Sequence, residues 1–269
     1  MKKKTFPLFF LGLLWFSPLL AEYSIEEKRH ARRILEFWKD KEFTLVKSQI
    51  NAFLSSYPTS ASKDYFYALL GDIYCSEEKY NDAISTYNKI SSEGLSQTVF
   101  TALVMCHYHL KNYSTIIQQV EPLALSSKER SLSKEEQRSL LYYGEALLQL
   151  AQTEKKLKNT ASFDAAQAAF ERLIDSNESV SAHLGLAAIH IAKGEVKNAV
   201  AYLLAQATSD SIHQEILLYE AGKLQIKNDP QHALLILSSL QQMQGKKQEE
   251  AALLKTALLF ELKEFQQLI

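Results

Sequence analysis

The sequence predicts an all-α protein: a solenoid of antiparallel helix pairs wound into a right-handed superhelix. Three observations carry this. First, an aromatic or apolar residue recurs at Phe43, Tyr80, Tyr113, Phe163, Val196, Pro230 and Phe265, at intervals of 37, 33, 50, 33, 34 and 35 residues. A period near 34 residues is that of a two-helix repeat. Second, fixed slots follow each of these openers. Three residues on stand Val46, Ala83, Ile116, Ala166, Ala199, Ala233 and Leu268; seven on stand Ile50, Tyr87, Val120, Phe170, Leu203 and Leu237. Four of the first set are alanine, as a close approach of two helices demands, and the second set is wholly apolar or aromatic. Third, the 269 residues include only 8 Gly and 5 Pro, too few for the many tight turns of a sandwich or barrel.

The first 21 residues stand apart. Lys2, Lys3 and Lys4 precede an apolar run from Phe6 to Phe16; Ser17 and Pro18 break it, and Ala21 offers a small residue before Glu22. This is the pattern of a secretory signal peptide at 1–21, which predicts an exported, periplasmic chain with a solenoid over 22–269. The alternative is an uncleaved inner-membrane anchor, but the run is about 15 residues against the roughly 20 that span a bilayer. No Cys follows the expected cut, so a lipid anchor there is not expected. Removing the segment takes three lysines from 30 Lys+Arg, leaving 27 against 31 Asp+Glu, a formal charge of −4. That balance leaves no electrostatic footprint for nucleic acid.

Within 22–269 the punctuation predicts about six to seven degenerate repeats. Ser24-x-x-Glu27, Ser133-x-x-Glu136 and Ser211-x-x-Gln214 read as capping boxes, each opening a first helix. Pro58 closes the opening unit, and Lys193-Gly194 makes a tight turn inside the unit near 180–210. The interval of 50 marks an insertion near 133–160. There the composition predicts one first helix of about 25 residues from Ser133 to Lys158, roughly 38 Å long. Its overshooting end carries Lys155, Lys156 and Lys158, either a solvated, dipole-compensating end or a partner-binding spur.

The clearest unit reads Tyr67-x2-Leu70-Gly71-x2-Tyr74, then Ala83-x3-Tyr87-x2-Ile90. This resembles the signature of the tetratricopeptide-repeat (TPR) family: an aromatic, Leu-Gly, Tyr, then Ala and an aromatic at these spacings. With Phe53-Leu-Ser-Ser-Tyr-Pro58 it is similar to the exported bacterial TPR proteins of the cell envelope. The resemblance covers 40–110 well and the rest as generic TPR. It implies a TPR-type solenoid that binds peptide segments or partner proteins in a concave groove lined by first helices. Carried over residue by residue, the groove slots are Leu35, Trp38, Tyr65, Asp72, Met105, Tyr108, His109 and Glu145.

No catalytic constellation stands out. A phosphate loop, a nucleophile elbow and an H-E-x-x-H pair are all missing from the sequence. His107 and His109 are two apart and do not share a helix face. Glu26-Glu27, Glu135-Glu136 and Glu249-Glu250 fall at helix starts, where acids stabilise the dipole. No cofactor or metal is expected. Cys75 and Cys106 occupy slots two positions apart on neighbouring first helices, which point in different directions, so they are not expected to pair. Leu258, Leu259, Leu262, Phe265, Leu268 and Ile269 gather near the C-terminus. Repeat ends normally carry a polar cap, so the expectation is either that the sequence is a fragment of a longer solenoid or that a partner or second copy docks there. The leading expectation is a non-catalytic scaffold or adapter in the cell envelope. A membrane-tethered chaperone-like module and the repeat arm of a larger enzyme stay open beside it.

Overall fold

The computed structural model describes residues 24–126, 130–153, 160–243 and 245–262. These residues form thirteen α-helices and no strand. In chain order they are α1 (Ile25–Lys39), α2 (Phe43–Ser56), α3 (Lys63–Ser76), α4 (Tyr80–Tyr87), α5 (Glu93–His109), α6 (Tyr113–Ala124) and α7 (Lys134–Thr153). They continue with α8 (Thr160–Glu171), α9 (Ser179–Ala192), α10 (Val196–Ser209), α11 (Gln214–Gln225), α12 (Pro230–Gln242) and α13 (Gln248–Glu261). The chain divides into two compact units, one ending at Ile116 and one beginning at Ile117.

Odd-numbered helices are the first helices of the repeats and even-numbered ones the second. Of the six openers among the described residues, Phe43, Tyr80, Tyr113, Val196 and Pro230 are each the first residue of a second helix. Phe163 is not: α8 begins three residues earlier, at Thr160. The expected long helix is helical from Lys134 through Thr153, 20 residues; residues 154–159, with the three lysines of the spur, lie outside the described residues, as do the signal segment and Phe265, Leu268 and Ile269.

The slots behave as the periodicity requires. Val46, Ala83, Ile116, Ala166, Ala199 and Ala233 are fully buried, as are Ile50, Val120, Phe170 and Leu237, with Tyr87 and Leu203 nearly so. In the first unit, Ala31, Ile34, Val46, Ile50, Phe53, Phe66, Leu70 and Ile73 form one core cluster across α1, α2 and α3. A second joins Ala68 and Cys75 of α3, Ala83 and Tyr87 of α4, and Val99, Ala102 and Cys106 of α5. In the second unit α7 packs on α8 and α9, and α9 to α13 continue pairwise.

Each of four first helices hands over to its second through the same turn. Lys41, Glu78, Lys111 and Gly194, each two residues before an opener, take φ of 61°, 60°, 59° and 85°. Their N–H groups bond back to Trp38, Cys75, Tyr108 and Ile191, and the next N–H reaches one residue further back, to Phe37, Tyr74, His107 and His190. This is the Schellman closure, which satisfies the last helix carbonyls. Only the fourth turn places glycine in the left-handed position.

Joints between successive first helices are made by polar side chains. Asp64 of α3 accepts from the backbone N–H of Ser91 and Ser92 and from the Ser91 hydroxyl, at 3.0, 2.7 and 2.9 Å. Glu215 of α11 does the same for the N–H groups of Lys246 and Lys247, just before α13. Gln137 of α7 accepts from Asn177, and Arg138 pairs with Glu178, just before α9. Arg172, at the end of α8, donates to the carbonyls of Leu123, Ala124 and Ser126, closing the C-terminus of α6.

The capping expectations divide. Ser24 Oγ accepts from the Glu27 N–H, and Ser133 and Glu136 exchange both bonds of a full box. Ser211 does not cap: Asp210 accepts from the N–H groups of Ile212 and His213, and α11 starts at Gln214. A carboxylate one residue upstream outcompetes the hydroxyl because it accepts two amides at once. At the other end, Leu258 and Leu259 are buried against Ala233 and Leu234 of α12.

Candidate interaction surface

The groove slots fall on α1, α3 and α5 of the first unit and on α7 of the second. On α1, Leu35 and Trp38 are half-buried. Trp38 packs edge-on to Phe43 at 5.4 Å and leans on the cluster below it. On α3 and α5, Tyr65 and Met105 are half-buried against the cluster that holds Cys75, Tyr87 and Cys106. At the C-terminal end of α5, exposed His109 stacks on Tyr80 with centroids 4.6 Å apart and planes within 5°. Tyr108 meets Tyr113 at 6.1 Å. Tyr65, Asp72 and Met105 are thus brought to one cluster. Trp38 sits with another, the Tyr108 and His109 pair forms a third group, and Glu145, half-buried on α7, belongs to the second unit.

Asp72 is the chemically distinctive member. Tyr87 of α4 crosses to it and donates its phenolic O–H to Asp72 Oδ1 at 2.6 Å. Burial pushes the Asp72 carboxyl up to about 6, partly offset by that hydrogen bond. Tyr87 lies there because α3 offers no side chain at Gly71. A Cβ on Gly71 would collide with the Tyr87 ring. The phenolic oxygen also lies 3.6 Å from Cys75 Sγ, and Cys75 Sγ lies 2.9 Å from Cys106 Sγ. A chain of polar contacts therefore runs from α3 to α4 and back through α3 to α5. Either thiol can donate to the other across this contact, and the contact lowers the Cys75 pKa and raises that of Cys106. Burial above all pushes the Tyr87 phenol up.

The two cysteines are unpaired, as the sequence reading expected, but its premise that their slots point apart is corrected. Both are buried free thiols, yet their sulfurs touch. Two residues turn an α-helix by roughly 200°, so slots two apart point in nearly opposite directions. On two helices lying side by side, opposite directions are what bring side chains face to face.

The second unit places other groups together. Buried His183 of α9 contacts the Tyr202 hydroxyl of α10 at 2.7 Å, and burial holds its imidazole below the usual histidine range. Phe170 of α8 lies between Gly144 and Gly185, where an added Cβ would approach its ring to 2.8 and 2.6 Å. Among the described residues no group of three or more His, Cys, Asp or Glu could hold a metal ion. No described helix is long and apolar enough to cross a membrane.

Tyr80, Tyr87 and Tyr113 were not among the sequence-derived site residues. Each was legible as an opener or a packing slot; Tyr80 and Tyr113 are half-buried beside the α5 aromatics, and buried Tyr87 reaches Asp72 from within the core.

Helix hairpins repeated at this period, with small residues at the crossings, define an all-α helical-repeat protein. Residues 158–212 match the family model described as tetratricopeptide repeat. The fold of the chain is of the tetratricopeptide-repeat type. Among solved structures it is similar to a tetratricopeptide repeat protein from Parabacteroides merdae ATCC 43184. The TM-score is 0.54 at 15% identity, over 87% of this chain and 98% of that one. No curated protein shows significant similarity to the sequence.

Proposed function

We propose that this chain is a non-catalytic scaffold of the bacterial cell envelope that holds peptide segments or partner proteins against its first helices. Tetratricopeptide repeats generally mediate protein–protein interaction. The observation that carries the reading is the run of half-buried apolar and aromatic side chains on first helices: Leu35 and Trp38, Tyr65, then Met105 and Tyr108. Such side chains anchor interfaces because they bring large contact area with few torsions to freeze. Asp72 and Glu145 add acceptors on α3 and α7.

The export part rests on the N-terminal 21 residues, whose charge and apolar pattern predicts cleavage before Glu22. Mass spectrometry of the mature N-terminus tests it: a chain starting at Glu22 supports a free periplasmic protein, and an intact Met1 or Lys2 supports a tether.

The binding part is tested by affinity capture from the envelope fraction, comparing the wild type with a Trp38→Ala, Tyr65→Ala, Tyr108→Ala variant of matched helicity. A partner captured by the wild type and lost by the variant supports the groove reading. A partner retained by the variant moves the binding surface elsewhere.

A further inference from the structure

We propose that Cys75 and Cys106 are a disulfide-forming pair that ties α3 to α5 by exchange with a thiol–disulfide couple such as glutathione. The inference stands on the contact between the two thiols and does not depend on where the protein acts.

The geometry is that of a bond waiting to close. The Sγ atoms are 2.9 Å apart, closer than the roughly 3.5–4.0 Å at which non-bonded heavy atoms rest. They stand within about 0.9 Å of a disulfide's length. Both residues lie within regular helices and belong to one core cluster, so the fold itself holds them in register. The cluster around them is apolar, with Ala68, Ala83, Val99 and Ala102, and the one polar neighbour of Cys75 besides Cys106 that the geometry identifies is the Tyr87 hydroxyl. Among the described residues the two thiols belong to no group of three or more His, Cys, Asp or Glu that could hold a metal ion, and two thiols in contact are arranged for oxidation to a disulfide.

The exchange balances without other reagents. One of the two thiols, Cys75 for example, loses its proton and attacks one sulfur of glutathione disulfide; that S–S bond breaks and one glutathione leaves, taking that proton. Cys106 then loses its proton and attacks Cys75 Sγ of the mixed disulfide, expelling the second glutathione. Two electrons and two protons pass from the protein thiols to the glutathione disulfide, giving two reduced glutathiones. Because the thiols are 4% and 0% exposed, the exchange runs while the chain is opening or folding, and the native core then shields the bond.

The consequence falls on the candidate interaction surface. Asp72 and Tyr65 lie on α3, and Met105, Tyr108 and His109 on α5. Oxidation would fix the spacing of these two helices; reduction would let them shift.

The test uses the full chain in defined mixtures of oxidised and reduced glutathione, entered both from native protein and from protein refolded out of denaturant. Cysteines are then alkylated under denaturing conditions and mapped. The expected product has no alkylatable thiol, a mass lower by two hydrogens, and a Cys75–Cys106 peptide within one chain. It melts about 5–10 °C above the reduced form. Native oxidised protein should resist a reductant that acts at once when denaturant is added. Cys75→Ser and Cys106→Ser should abolish the difference in melting between oxidising and reducing buffer while keeping the helical spectrum. Two alkylatable thiols by both routes, stable glutathione adducts, or crosslinks between chains would overturn the proposal.

Discussion

Tyr87 and Phe170 occupy the same slot in two different units, seven residues past their openers, and they differ by one oxygen atom. Both are buried aromatic wedges laid against helix glycines, Gly71 for the one and Gly144 with Gly185 for the other. Phe170 ends there: its neighbours see only a ring. Tyr87 reaches further, to Asp72 and Cys75. A slot defined by packing can therefore carry chemistry at no change in fold, provided that the neighbouring helix supplies an acceptor. The wedge of the second unit holds by apolar volume. That of the first holds by volume and by a polar chain that answers to pH.

The largest effect should come from emptying the apolar wedge. Phe170→Ala leaves a ring-sized cavity between α7, α8 and α9 and should cost about 3–5 kcal/mol in denaturant unfolding. A loss below about 1 kcal/mol would show that the second unit repacks freely and is not wedge-dependent.

Next is the glycine under the other wedge. Gly71→Leu forces Tyr87 off α3 and should cost roughly 1–3 kcal/mol or more by overpacking. An unchanged melting temperature would mean that the helix crossing is placed wrongly.

The polar chain is tested by Asp72→Asn, which keeps an acceptor for the Tyr87 O–H and removes the charge. With the Asp72 pKa raised from 3.8 to about 6 in the folded state, the group is protonated in both states well below pH 4 and contributes no difference. Between about 4 and 6 the folded chain holds a proton that the unfolded chain releases, so stability falls as pH rises. Above about 6 the cost of the buried carboxylate is fully present. The variant should therefore be about 1–3 kcal/mol more stable than the wild type at neutral pH and equal to it below about pH 4. A constant difference across pH would remove Asp72 as the titrating group.

The smallest effect concerns the turns. Lys111→Gly relieves a left-handed lysine at φ 59° and should add about 0.5–1 kcal/mol in thermal melts. The reverse change, Gly194→Lys, should lose a similar amount.

Most of the fold was legible because packing slots are local and periodic. Four of the openers, Phe43, Tyr80, Tyr113 and Val196, mark where a left-handed turn releases the second helix. Phe163 lies three residues inside α8, which follows directly on residues 154–159, outside the described residues. Ser211 was misread because the capping pattern does not weigh a stronger acceptor at Asp210. The cysteine contact and the Asp72–Tyr87 bond were illegible for a different reason. They depend on how neighbouring helices face each other, and a helix considered alone gives directions without saying which direction meets a partner. Asp72 was singled out as a surface residue from family position; nothing in its spacing revealed that Tyr87 would claim its carboxylate.

The grip of Asp64 on Ser91 and Ser92 has a consequence for how the chain is made. Neither α5 nor α13 has a capping side chain of its own at Ser92 or Lys247. The anion that satisfies those opening amides comes from the preceding first helix, from Asp64 and from Glu215. A polypeptide leaves the ribosome N-terminus first, so each borrowed cap has been synthesised before the helix that needs it emerges. At these two joints growth is vectorial: removing α3 strips the acceptor from the segment that opens α5, and removing α11 does so for α13, whereas removing α5 or α13 leaves the starts of α3 and α11 as they were.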